Sequence, residues 1–144
     1  MIKKLAIALA AMAFVAHTAV AAPPPQYYVD EAKLPFAELP GLPSQREWGV
    51  LSGAGYRIEV PQNWNGKLVM WAHGYRGTGL ELTVDDHPLR QFLLAQGYAW
   101  AASSYSKNAY DPAQGAKDTN ALTNYFAGRF GRPGRTYITG ASMG

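Results

Sequence analysis

Thr136-Tyr137-Ile138-Thr139-Gly140-Ala141-Ser142-Met143-Gly144 is the most informative stretch of the chain. Thr136 to Thr139 reads as a short strand, and the five residues after it match G-x-S-x-G. The spacing has a physical reason. A nucleophilic serine must stand at the tip of a sharp, strained strand-to-helix turn. Strand and helix then approach so closely that the positions two before and two after it must be small. Gly140 and Gly144 meet that need, which makes Ser142 the candidate nucleophile.

Upstream, Lys67 to Ala72 is a near-continuous apolar run, the pattern of a strand covered on both faces in a parallel sheet. His73-Gly74 follows directly, then Tyr75-Arg76-Gly77-Thr78-Gly79. Acyl transfer generates an oxyanion that needs two aimed donors, one from the residue after the nucleophile and one from the loop after an earlier strand. Met143 N–H and Tyr75 N–H are the candidates. Between His73 and Ser142 the sequence predicts a helix, a strand, a second helix and a strand, which brings both loops to the carboxyl edge of one sheet, where ligands of open α/β folds bind.

The first of these helices is expected from Asp85-Asp86-His87-Pro88 as cap and early turn, with Leu89, Phe92 and Leu93 on one face and an end at Gly97. Tyr98 to Ala102 is the next apolar strand. Asp111-Pro112-Ala113-Gln114 reads as an N-cap, a first-turn proline and a reciprocal Gln, opening a helix in which Leu122, Tyr125, Phe126 and Phe130 recur at helical spacing. Before the apolar strand, Glu47 to Leu51 and Tyr56 to Val60 form a hairpin joined by Ser52-Gly53-Ala54-Gly55. Hairpin, strand, helix, strand, helix, strand is the order of a three-layer α/β/α domain with a mainly parallel sheet.

The N-terminus divides into two further parts. Residues 1–21 read as a secretory signal peptide: Lys3-Lys4 is the positive start, Leu5 to Val15 the apolar run, and Ala19-Val20-Ala21 the cleavage site. His17 and Thr18 break the run before it reaches spanning length, so no stable membrane anchor is expected, and the product is expected in the periplasm or outside a bacterial cell. Residues 22–46 carry Pro23-Pro24-Pro25, Pro35, Pro40 and Pro43 and are expected to form an extended arm over the surface; residues 47–144 are expected to be the N-terminal, incomplete part of the α/β domain.

Composition narrows the chemistry. Of 13 basic and 10 acidic side chains in 144 residues, two of the basic ones are Lys3 and Lys4, and the balance left shows no basic run of the kind that binds nucleic acid. The absence of cysteine removes thiolate metal sites, thiol nucleophiles and disulfide scaffolds. His87 with Asp85 and Asp86 has the residue types of a metal cluster, but helix capping accounts for them. Gly74, Gly77 and Gly79 lack the lysine of a phosphate loop. No metal or cofactor is expected. Tyr98, Trp100, Tyr105 and Tyr110 either line an aromatic pocket or pack in the core, the commoner arrangement, and Ser103, Ser104 and Ser106, after that strand, either touch substrate or are ordinary loop polarity.

Taken together, Leu68-Val69-Met70-Trp71-Ala72-His73-Gly74 and Tyr137 to Gly144 resemble the third strand with its oxyanion loop and the fifth strand with its nucleophile elbow in secreted α/β-hydrolases. The resemblance covers roughly residues 57–144. It implies a metal-independent serine hydrolase acting on a small ester through an acyl-enzyme, with Ser142 as nucleophile, Tyr75 and Met143 as oxyanion donors, and His73, Gly74, Gly140 and Gly144 as structural parts of the motifs. Esterases, lysophospholipases and prolyl-oligopeptidase-like peptidases share the pairing. In the last group a tyrosine hydroxyl serves the oxyanion, a role open to Tyr75, and a short peptide is the substrate. The family order is Ser, then Asp or Glu, then His, so the acid and base are absent from these residues and the chain is expected to be the N-terminal half of such a domain, truncated after the elbow. A non-catalytic secreted protein is the remaining alternative.

Overall fold

The computed structural model describes residues 22–24 and 26–144; the expected signal peptide, residues 1–21, lies outside them. Its main sheet has five strands in the order β2-β3-β6-β4-β7: β2 Ser44–Leu51, β3 Ala54–Pro61, β4 Lys67–Ala72, β6 Ala99–Ser103 and β7 Arg135–Gly140. β2, β3 and β6 pair antiparallel, and β6, β4 and β7 pair parallel. Helices α1, Arg90–Ala95, and α2, Pro112–Phe130, supply the crossovers. The expected α/β alternation is therefore the observed one.

Alternation along the central strands builds two cores. Leu68 and Met70 of β4 join Ile58, Ala99, Ala101, Leu122 and Phe126 beneath α2. Val69 of β4 turns the other way, toward Trp100, Leu93 and Leu94 beside α1. Both faces of β4 and β6 are thus buried, which explains their continuous apolar sequence. Among the described residues, no helix is long and apolar enough to cross a membrane.

Several local expectations need correction. The hairpin turn is the two-residue Ser52-Gly53, with φ of 51° and 84°, the backbone that matches strand twist. Gly55 lies inside β3, where a Cβ would come 3.1 Å from Val29 and Val84 side-chain carbons. α1 starts at Arg90, and no side chain caps it. Asp86 instead pairs with Arg57 at 2.8 Å and Arg90 at 3.0 Å, and Asp85 pairs with Arg76. Leu89 and Phe92 are exposed, and Leu93 and Leu94 carry the packing. The C-terminus is as the sequence indicates: Gly97 has φ 78°, its N–H donates to Leu94 O at 3.0 Å, and Tyr98 N–H donates to Leu93 O at 2.8 Å, a Schellman end. In α2, Asp111 accepts from Gln114 N–H at 3.0 Å, but the Gln114 side chain donates to Asp118 rather than back to the cap.

The proline-rich arm is only partly superficial. Leu34 and Phe36 are buried, and the Phe36 ring is faced by the guanidinium groups of Arg90 at 4.9 Å and Arg57 at 5.2 Å. Arg57 also donates to the Lys33 and Leu34 carbonyls, and Arg90 to Ala37 O. Arg90 is held in turn by fully buried Glu59, which accepts from Trp100 Nε1 and Ser44 Oγ as well. Short strand β1, Tyr28–Val29, pairs parallel with β5, Glu81–Leu82, so the arm ends against the loop that follows β4.

Candidate active site

β4 and β7 are parallel neighbours with Ala72 opposite Gly140, so the residues that follow each strand leave the sheet side by side. Ala141 N–H donates to Ala72 O at 3.2 Å, and Gly144 N–H closes a tight turn on Ala141 O at 2.9 Å. At the tip of that turn Ser142 has φ 56°, the left-handed region that a non-glycine residue occupies only at a cost. A Cβ on Gly140 would lie 2.5 Å from Gly144 C, and one on Gly144 only 1.9 Å from Ala72 O. Neither position accepts a side chain.

The two motifs meet at Gly74, where a Cβ would be 2.9 Å from both Ala141 O and Ser142 Cβ and 3.6 Å from Ser142 Oγ. Tyr75, next along, is exposed; Met143 is partly buried and lines an apolar cavity of about 430 Å³ between α2 and β7. Among the described residues, neither the Tyr75 nor the Met143 amide N–H donates a hydrogen bond.

His73 is buried, stacked on the Tyr105 ring at 3.9 Å, with Nδ1 at 2.7 Å from Gly74 O and Nε2 at 3.0 Å from Ser104 O. Both carbonyls favour a protonated ring, but burial outweighs them and holds its pKa below the ordinary histidine value. The neutral ring donates its single N–H to one of these carbonyls, and both nitrogens face carbonyl oxygens of the loop and of Ser104. His87 is also buried: Nδ1 accepts from Leu89 N–H at 3.0 Å and Nε2 meets Thr139 Oγ1 at 2.8 Å. Burial pushes its pKa down to about 4, so the ring is neutral near pH 7.

Contacts invisible in the sequence brace the loop that carries Tyr75. Asn108 Nδ2 donates to Gly79 O at 2.7 Å and Glu81 O at 2.9 Å, Ala109 N–H to Gly77 O at 2.7 Å, and Tyr28 N–H to Leu80 O at 3.0 Å. Arg76 Nη1 donates to Thr83 O and Thr83 Oγ1. The serines at the end of β6 and just after it are structural. Ser104 Oγ accepts from Gly55 N–H and donates to Tyr105 O, Ser103 Oγ accepts from Tyr105 N–H, and Ser106 Oγ donates to Asp118. Of the four aromatic residues, Trp100 is core, Tyr98 packs on Tyr137, Tyr110 is exposed, and Tyr105 alone borders the elbow's cavity while its hydroxyl donates to His73 O at 3.1 Å.

Comparison with solved structures bears on the fold. The chain superposes on a cold-adapted esterase from an Arctic intertidal metagenomic library with a TM-score of 0.51, at 16% identity, over 74% of this chain and 53% of that one. This is an α/β-hydrolase type of fold. A CIB-like hydrolase of Thermoplasma acidophilum gives a TM-score of 0.45 at 20% identity, over 72% of this chain and 53% of that one. The chain thus spans about half the length of each of these two hydrolases. No model of a protein family and no curated protein matches the sequence.

Proposed function

We propose that this chain carries the nucleophile and oxyanion half of a serine hydrolase that cleaves carboxylic esters. The observation that supports the reading most strongly is Ser142 held at φ 56° between two glycines that exclude any side chain, beside the His73-Gly74 loop. A strained serine on a turn that a fold maintains at a cost is what nucleophilic catalysis uses.

In the proposed reaction Ser142 Oγ attacks the ester carbonyl carbon as its proton passes to a general base. The oxyanion of the tetrahedral intermediate takes hydrogen bonds from Tyr75 N–H and Met143 N–H, the alcohol leaves with a proton from the base, and water releases the acid from the acyl-enzyme. Both His73 nitrogens face backbone carbonyls and both His87 nitrogens are hydrogen-bonded, so in this reading the base and its orienting acid come from outside the described residues. Export fits the same picture, with cleavage after Ala21; N-terminal sequencing of the mature protein is then expected to begin at Ala22.

The test is Ser142→Ala in the natural gene product, assayed on p-nitrophenyl acetate. Loss of nearly all turnover with an unchanged unfolding transition supports the reading. Retention of more than about a tenth of the wild-type rate means that another residue is the nucleophile.

A further inference from the structure

We propose that His87 is a positioning residue for the reaction, acting through Thr139 to fix the register between the strand that bears the nucleophile and the strand that bears the oxyanion loop. The proposal rests on Ser142 being the nucleophile.

The geometry defines a directed chain of hydrogen bonds. Leu89 N–H donates to His87 Nδ1, which leaves the proton of the neutral ring on Nε2. Nε2–H then donates to Thr139 Oγ1 at 2.8 Å, and the Thr139 hydroxyl donates onward to Met70 O at 3.3 Å. Each proton has one direction. The chain links the segment before α1 to β7 and β4, and Trp71, the β4 partner of Thr139, packs against the His87 ring at 5.3 Å.

Its position in the sheet is what gives this chain leverage. Thr139 stands three residues before Ser142, and Trp71 three before Gly74. Among the described residues β7 pairs with β4 alone, and Thr139 is the one residue of β7 that is not exposed. The His87–Thr139 bond is therefore a side-chain hydrogen-bond tether of the strand, beside the packing of Tyr137 on Tyr98. Beyond it, the elbow and the Gly74 loop are so close that a Cβ would sit 2.9 Å from Ser142 Cβ, so small slips of β7 change the approach of Oγ to the oxyanion donors. Filling a core does not require this residue. A buried imidazole without a counter-charge is a poor substitute for an apolar side chain unless its two hydrogen bonds matter.

The experiment uses the natural gene product and p-nitrophenyl acetate, comparing wild type with Thr139→Val, Thr139→Ser, His87→Phe, His87→Gln, the Thr139→Val/His87→Phe double variant and Ser142→Ala. Each is assayed at a temperature where circular dichroism shows it folded. Thr139→Val and His87→Phe are expected to lower kcat about 10- to 100-fold with KM within about twofold, the signature of a misplaced reacting group rather than lost binding. The conservative Thr139→Ser and His87→Gln, which retain the hydroxyl and the Nε2-like donor, recover most of the loss. The double variant falls no further than the worse single one, because both residues act on one path. A folded Thr139→Val enzyme with wild-type kcat overturns the proposal, as do losses that multiply in the double variant. Thr139→Val keeps the side-chain volume and decides the matter if His87→Phe fails to fold. Ser142→Ala separates the two claims: turnover surviving in it refutes the nucleophile, whereas a dead Ser142→Ala beside an unimpaired Thr139→Val refutes only the tether.

Discussion

Gly74→Ala probes the contact on which the whole site depends. Gly74 has no left-handed backbone to preserve, so the added methyl acts through space alone. Its Cβ would lie 2.9 Å from Ala141 O and from Ser142 Cβ, against an ordinary contact of 3.4 Å or more, so loop and elbow must separate by about 0.5 Å. Neither partner is the flexible end of a side chain. One is backbone, and the other is the first carbon of a residue already at φ 56°. Overpacking of this kind costs about 1–3 kcal/mol. A displacement of about half an ångström at the reacting atoms corresponds to roughly a tenfold loss of rate, taking about a hundredfold for a full ångström.

The assay pairs urea unfolding with fluorophosphonate labelling kinetics. Gly79→Ala is the control, because it sits on the same loop with nothing within 4 Å of its Cβ and no left-handed φ. It should stay within about 0.5 kcal/mol and twofold of wild type. A Gly74→Ala protein as stable and as reactive as that control would refute the packing of the Gly74 loop on the turn that carries Ser142.

The strain at Ser142 predicts that Ser142→Gly is inert toward esters yet more stable by about 0.5–1 kcal/mol, whereas Ser142→Ala gains nothing; equal unfolding midpoints for the two would remove the strain argument. His87 has a folded pKa of about 4, below the unfolded value near 6.5, so protons bind the unfolded chain more tightly. Stability contributed by the neutral ring is full above about pH 6.5 and is lost as pH falls toward 4, by up to ~3 kcal/mol, and His87→Phe should flatten the stability–pH slope across that window. Glu59→Ala leaves Arg90 with Asp86 as its remaining carboxylate partner and strips buried Trp100 Nε1 of its acceptor, and should cost about 1–3 kcal/mol in chemical denaturation, beyond an exposed substitution such as Gln91→Ala.

The parts of this molecule legible in the sequence are those whose cause is local. β4 and β6 announce themselves because burial on both faces demands an unbroken apolar run, and the end of α1 because Gly97 takes a backbone few other residues accept. The tight turn after β7 is legible for the same reason, since its geometry constrains Gly140, Ser142 and Gly144 within five positions. What the sequence hides is decided by distant partners. Asp85 and Asp86 look like helix caps until Arg57, Arg76 and Arg90 engage them. The proline-rich arm looks superficial until Arg57 and Arg90 bind its carbonyls and face Phe36. Gly115 seems an interruption of α2, yet a Cβ there would press within 3.2 Å of the Tyr105 ring that stacks on His73. Thr139 and Asn108 act through contacts 52 and 29 residues away in the chain, and nothing in their neighbours' identity marks them.

The most direct test of the central claim is to treat the natural gene product with a fluorophosphonate and locate the adduct by peptide mass spectrometry. The account predicts one phosphonyl group per molecule, on Ser142, with none on Ser103, Ser104 or Ser106, whose hydroxyls are tied up in the hydrogen bonds around β6 and α2. An adduct on another residue, or a folded protein that takes up none, would contradict it.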